Sequence, residues 1–238
     1  MLASGIGRPP ENRPKVMAYA MNNEPIAVVF EQPGQMNLRP VGLPLPEPGD
    51  CVVDVEWTGI STGTERLLWD GRMPHFPGLQ YPLVPGYECV GRVRRCTDAS
   101  GPSPGTRVFV PGSRGFTDVR GLFGGAAEQL VVPAGRIVSL PDSAGEESVL
   151  LALAATACHA VARAGDKALP GLIVGHGVLG RLIARLVMAL GGDAPTVWET
   201  NPARRGSSEA YPVIDPAQDR RRDYSVVCDV SGDARALD

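Results

Sequence analysis

The chain has 238 residues, room for one large domain or two small ones with a buried core. Lys and Arg number 23 against 26 Asp and Glu, a formal charge of −3, and the basic runs Arg204-Arg205 and Arg220-Arg221-Arg222 are short and solvated. That balance excludes a nucleic-acid binder, which concentrates a basic surplus on one face.

Met1 to Ala20 carries Arg8, Arg13 and Lys15 among prolines and fits neither a secretory signal nor a strand. A disordered arm is expected over residues 1–22, with Met21 as an alternative start. Prolines and glycines then divide the chain into short apolar runs: Ile26–Phe30, Cys51–Trp57, Cys89–Val93, Thr106–Val110 and Gln129–Val132. Runs of this kind are strands of a compact β-rich domain, placed at residues 23–145. No proline lies between Pro141 and Pro170, and the texture becomes helical. Asp142 or Ser143 is expected to cap a helix with Glu146 and Glu147 in its first turn and a stop at Gly165. Its apolar run, Val149 to Ala162, is too short for the ~20 residues of a bilayer span, so no transmembrane segment is expected.

Next come a strand at Leu172–Val174, a helix at Val178–Leu190, a strand at Thr196–Glu199 and a short helix near Ala203. Further strands follow at Val213–Ile214 and Val226–Cys228. This βαβ series predicts an α/β fold with a parallel sheet over residues 146–238, incomplete at residue 238 because four strands of a six-stranded dinucleotide fold are counted. An incomplete sheet leaves an open edge. The cysteines, Cys51, Cys89, Cys96, Cys158 and Cys228, form no CxxC pair and are read as reduced cytoplasmic thiols without a disulfide framework.

Gly175-His176-Gly177-Val178-Leu179-Gly180 is a GxGxxG turn between a strand and an apolar helix, the context that makes this spacing specific. Gly175 permits the tight turn, Gly177 lets backbone approach a diphosphate, and Gly180 allows close helix packing, with the amides of the helix start facing the phosphates. Glu199, at the end of the second strand, suits the ribose hydroxyls and favours NAD over NADP; Arg204 and Arg205 weaken that preference. His176 is read either as a phosphate contact or as a partly exposed loop residue.

Further segments carry a family resemblance. Gly105-Thr106-Arg107-Val108-Phe109-Val110-Pro111, Gly124-Gly125-Ala126-Ala127-Glu128 with Val131-Val132-Pro133, Pro85-Gly86-Tyr87-Glu88 and the pair Thr156-Ala157 resemble stretches of medium-chain dehydrogenases. More specifically, the runs 59–65, 81–88, 120–127 and 200–205 are similar to those of bacteriochlorophyllide dehydrogenases, a zinc-less branch of that superfamily. The resemblance covers Pro25 to the end. It implies a GroES-like catalytic domain followed by a Rossmann domain. It also implies NAD-dependent oxidation of a 3-(1-hydroxyethyl) group to 3-acetyl on a bacteriochlorophyllide, in bacteriochlorophyll biosynthesis for photosynthesis.

Ser61 stands where the superfamily has a zinc-binding Cys and Tyr87 where it has a His, so no metal is expected. A set rebuilt from Glu65, Glu88 and His75 is the alternative. Tyr87 is the first candidate to hold the reacting oxygen, with Ser61 and Thr64 beside it, Glu88 orienting the network, and His159 a more distant relay. Thr156 is expected to border the nicotinamide. The competing readings are a half-buried strand tyrosine, turn hydroxyls and a packed histidine. Trp57, Trp69, Phe76, Phe116 and Phe123 are candidate walls for a flat pigment, Trp57 being better explained by core packing. Peripheral membrane contact and a homo-oligomer are compatible with this reading. The rival functions are a zinc-independent NADPH quinone or enoyl reductase and a non-catalytic dinucleotide-binding fragment.

Overall fold

The computed structural model describes residues 24–164, 169–206, 210–233 and 236; the arm expected at 1–22 and the helix stop at Gly165 lie outside the described residues. The described residues begin with the strands β1 (Ile26–Gln32) and β2 (Gln35–Pro40), an antiparallel hairpin turning through Gly34 at φ 74°. After β3 (Asp50–Thr58) come the short helix α1 (Thr64–Trp69), β4 (Leu83–Val84), β5 (Cys89–Cys96) and β6 (Arg107–Val110). β7 (Arg120–Gly121), β8 (Gln129–Pro133) and β9 (Val138–Ser139) complete two sheets, ordered β2-β1-β4-β7 and β8-β3-β5-β6-β9. The second is antiparallel throughout, and its inward valines (Val53, Val93, Val108, Val110, Val132) join Leu130, Val29 and Val84 in one core. β-branched side chains suit such a pleated, packed surface.

The β3–β5 pairing corrects one expectation. Cys51 and Cys96 are opposite each other in this register, with Cα atoms 3.9 Å apart, and are joined as a disulfide across 45 residues of sequence. Cross-strand register places the two thiols together, a relation that cysteine spacing does not reveal.

The helical transition also differs from the sequence reading. A 3-10 turn at Glu146–Leu150 precedes α2 (Leu151–Arg163), and neither Asp142 nor Ser143 caps it. Asp142 is instead engaged by Arg92 at 3.0 Å. β10 (Leu172–Val174), α3 (Val178–Ala189), β11 (Thr196–Trp198), α4 (Pro202–Arg205), β12 (Val213–Ile214) and β13 (Val227–Asp229) follow. The four strands form a parallel sheet ordered β12-β11-β10-β13, as the βαβ pattern implies. Ala157 and Val161 of α2 and Ile183, Ala184 and Val187 of α3 pack with Ile173 and Val197 of the sheet. This places the glycine turn at the carboxyl end of β10, beside the carboxyl end of β11, where open α/β sheets bind ligands.

Candidate active site

The site has a nucleotide half and a hydroxyl half. In the first, Gly175 sits at φ 101°, where a Cβ would lie 2.9 Å from Ser231 Cα. A Cβ on Gly180 would lie 2.0 Å from the Gly175 carbonyl oxygen, so only glycine lets α3 seat on the turn. Gly177, by contrast, is the extended N-cap of α3 and has nothing within 4 Å of its Cβ position. The space over Gly177 is open, a cradle that a side chain would fill and a diphosphate fits. Val178 is exposed at the first turn of α3, while Leu179 packs into the core.

His176 corrects both sequence readings, because it is turned inward and 1% exposed. Its Nδ1 lies 2.7 Å from the Arg204 carbonyl and its Nε2 3.1 Å from the Tyr211 hydroxyl. Glu199 is buried; its Oε2 accepts the His176 amide at 3.2 Å and its Oε1 the Asn201 amide at 2.8 Å. Asn201 caps α4 by accepting from the Ala203 amide at 3.0 Å, and Pro202 suits the first helical position. Arg205 is committed to Asp215 at 2.9 Å, whereas Arg204 is exposed.

In the hydroxyl half, Ser61 and the start of α1 meet the segment between β4 and β5. The Ser61 Oγ accepts from the Gly63 and Thr64 amides at 3.3 and 3.2 Å, so it ties down the entry to α1. That turn carries Thr64 toward Tyr87, and their hydroxyl oxygens are 3.5 Å apart. Tyr87 follows Gly86, whose φ of 99° and contact with the Ala126 amide leave no room for a side chain. The Tyr87 ring meets Phe123 edge-on at 5.6 Å between centroids. Phe123 is 46% exposed and extends that aromatic surface.

Ser61, Thr64 and Tyr87 are thus brought together. Glu88 lies beneath them: it is buried, and its carboxyl rests against Gly59, where a Cβ would be 2.6 Å from Oε2. The carboxyl that Ser61 does engage is Glu65, which the sequence reading considered only as a metal ligand. Glu65 Oε2 accepts the Ser61 amide at 3.0 Å, and the Ser61 hydroxyl acts on the same carboxyl. Burial pushes Glu65 up to about 7, the charge of Glu88 adds to the rise, and the Ser61 groups oppose it. Burial also raises Glu88 and lifts the Cys89 thiol to about 12. Glu65 lies in the first turn of α1, where it and Leu68 are the buried residues; no pattern in the sequence marks that burial.

Other candidates stand apart from this cluster. Thr156 is exposed on α2, its hydroxyl donating to the Ala152 carbonyl at 3.0 Å. His159 is exposed rather than packed, so neither the packed reading nor a buried relay describes it. Trp57 is 50% exposed, which corrects its assignment to the core; here β3 stays paired with β5 but has passed its last partner on β8, and Trp57 and Thr58 line a cleft of about 400 Å³ with Glu146, Glu147, Val149 and Leu150. Trp69 packs edge-on against Phe30 at 5.7 Å, and Phe116 packs against the β-sheet core. Phe76 is half-buried in the loop after α1.

Zinc does not fit this site. Ser61 and Tyr87 offer a hydroxyl and a phenol, poor zinc ligands, and His75 is exposed. Among the described residues no group of three or more His, Cys, Asp or Glu is arranged to hold a metal ion.

A β-rich domain with a hydroxyl cluster, followed by a parallel sheet with a dinucleotide turn, defines an oxidoreductase of the alcohol dehydrogenase class. Residues 47–142 match the alcohol dehydrogenase GroES-like domain family. The chain is 53% identical over 212 residues to 2-desacetyl-2-hydroxyethyl bacteriochlorophyllide A dehydrogenase of Rhodobacter capsulatus, spanning 89% of this chain and 67% of that one. It is 52% identical over 217 residues to the protein of the same name from Cereibacter sphaeroides, spanning 89% and 68%. The chain therefore belongs to the bacteriochlorophyllide dehydrogenase family. In fold it is similar to a dehydrogenase from Sinorhizobium meliloti solved with NADP bound, at TM-score 0.72 and 23% identity, covering 91% of this chain and 72% of that one.

Proposed function

We propose that the protein oxidises the 3-(1-hydroxyethyl) group of a bacteriochlorophyllide to 3-acetyl, with NAD as acceptor. The observation that carries this is the chain of contacts from the Ser61 hydroxyl to the Thr64 amide and from the Thr64 hydroxyl to that of Tyr87, in a site where zinc does not fit, in a chain half identical to its named relatives. When bound, the nicotinamide supplies a hydride acceptor. Gly175, Gly177 and Gly180 with the first turn of α3, Val178 and Leu179, hold the diphosphate, and Thr156 borders the nicotinamide. Glu199 faces the adenosine ribose. Its buried carboxylate and the commitment of Arg205 to Asp215 support NAD over NADP, although the Sinorhizobium neighbour carries NADP.

The alcohol sits with its oxygen between the Tyr87 and Ser61 hydroxyls. Tyr87 donates to that oxygen and Thr64 fixes the Tyr87 phenol. Glu88 sets the charge beneath the cluster. Phe123 and the exposed face of Trp57 offer flat apolar surface to a macrocycle. No helix among the described residues is long and apolar enough to cross a membrane.

The test is to mix the purified protein with NAD and hydroxyethyl-bacteriochlorophyllide and follow the red-shifted absorption of the acetyl product. Tyr87→Phe is expected to lower turnover by ~10²-fold or more with NAD affinity retained. No spectral shift with folded, NAD-binding protein refutes the substrate; unchanged turnover in Tyr87→Phe removes the phenol from the mechanism.

A further inference from the structure

Two buried oxygens have no role in the site as described. Glu65 is 6% exposed and Glu88 2%, yet Oε1 of each lacks a hydrogen-bond partner. Buried polar atoms are nearly always paired, and an unpaired ionised carboxylate in a dry site is costly unless it takes up a proton. Glu65 is also the carboxyl that Ser61 engages: its Oε2 accepts the Ser61 amide at 3.0 Å, and the Ser61 hydroxyl favours its ionised form. Glu88 comes in from the other side, against Gly59, two residues before Ser61.

Among the described residues, the influences on this pair include no Lys, Arg or His. Cys89 donates its thiol to the Gly125 carbonyl at 3.1 Å, and the Tyr87 phenol lies against Thr64. Two carboxyls in one dry site do not both ionise readily, so the second holds a proton more tightly. Burial first, and then the Glu88 charge, raise Glu65 to about 7, where it can both gain and lose a proton near neutrality.

We propose that Glu65 is the acceptor of the alcohol proton, reached through the Ser61 hydroxyl, with Glu88 as the buried charge that tunes it. This rests on the alcohol oxidation proposed above. The carbinol C–H bond breaks with its electron pair going to the nicotinamide. The alcohol displaces the longer of the two amide bonds on Ser61 Oγ, that from Gly63 at 3.3 Å, and its O–H proton passes to Ser61 Oγ as the proton of Ser61 passes to Glu65. The carbinol becomes a ketone, Ser61 is again a hydroxyl, and Glu65 is a carboxylic acid that returns its proton to solvent. Glu65 acts through Ser61 and is a positioning residue for the proton. The chemistry that a metal-bound alkoxide would need is replaced by a hydroxyl–carboxylate pair.

Glu65 must be ionised before turnover, so activity rises with pH through about 7. Glu65→Gln is expected to lose that rising limb and ~10²- to 10⁴-fold in turnover. Glu88→Gln, which removes the facing charge, is expected to move the limb to lower pH. A second measurement needs no substrate: infrared difference spectra of the full chain without ligands should show a protonated carboxyl carbonyl band that disappears as pH rises through about 7. The band should be absent in Glu65→Gln; should that variant fail to fold, its acid-ward shift in Glu88→Gln makes the assignment. Absence of the band in the wild-type protein, or an intact rising limb in folded Glu65→Gln, overturns the proposal. A wild-type protein that shows the band but leaves the pigment unoxidised supports the acceptor and refutes the substrate.

Discussion

Gly177→Ala separates what the glycine turn does for the fold from what it does for a ligand. Gly177 has φ −77° and ψ −172°, extended backbone open to any residue, and its Cβ position meets nothing within 4 Å. Alanine is a poorer N-cap than glycine by roughly 0.5–1 kcal/mol. It also restricts the unfolded chain, which returns about 0.4–1 kcal/mol. The two nearly cancel, so the melting temperature should move by no more than about 2–4 °C. The added methyl occupies the open space proposed for the diphosphate, and NAD should bind at least ~10-fold more weakly, about 1.4 kcal/mol. Gly180→Ala is the counterpart: its Cβ would lie 2.0 Å from the Gly175 carbonyl oxygen, so α3 must lift from the turn. Overpacking of that kind costs about 1–3 kcal/mol. Calorimetric melting and NAD titration of both variants make the comparison. A Gly177→Ala protein with wild-type melting and wild-type NAD affinity refutes the assignment of this turn to the cofactor.

Glu65 also predicts a pH dependence of stability. Its carboxyl is raised from 4.5 to about 7 in the fold, so its contribution is complete below 4.5 and is lost as pH rises through 7. The shift corresponds to about 3 kcal/mol at most. Denaturant titrations at pH 5 and pH 8 should show Glu65→Gln gaining on wild type by roughly 2–3 kcal/mol at the higher pH; parallel curves contradict a buried neutral carboxyl. The Cys51–Cys96 link closes 45 residues, and its reduction should cost about 4 kcal/mol by loop entropy. Thiol titration of the denatured chain should find Cys89, Cys158 and Cys228 free and all five cysteines only after reduction; five thiols at the outset refute the link.

Features encoded by backbone requirements were legible before any coordinates. The glycine turn could be read because each glycine answers a separate steric demand, and the structure displays those demands at Gly175 and Gly180. The apolar runs from Ile26 to Val132 became strands because turn residues bound them on both sides. The six residues of α1 were not legible: the helix is too short for a period, and its entry is tied by Ser61 rather than by a residue at the N-cap. Glu65 was legible only as an alternative metal ligand for the same reason, since its burial depends on where that helix lies. Cys51 and Cys96 needed the register of β3 against β5, and the inward turn of His176 needed Arg204 and Tyr211, which lie 28 and 35 residues later.

His176 acts as a crossbar through the floor of the nucleotide half. Its backbone belongs to the glycine bend proposed to hold the diphosphate, and its ring fastens that bend to the Arg204 carbonyl of α4. Neither rim can slide without dragging the other. On the proposed reading, the surface that would take ADP-ribose is held in place beforehand by these bonds, which lowers the cost of ordering it on binding.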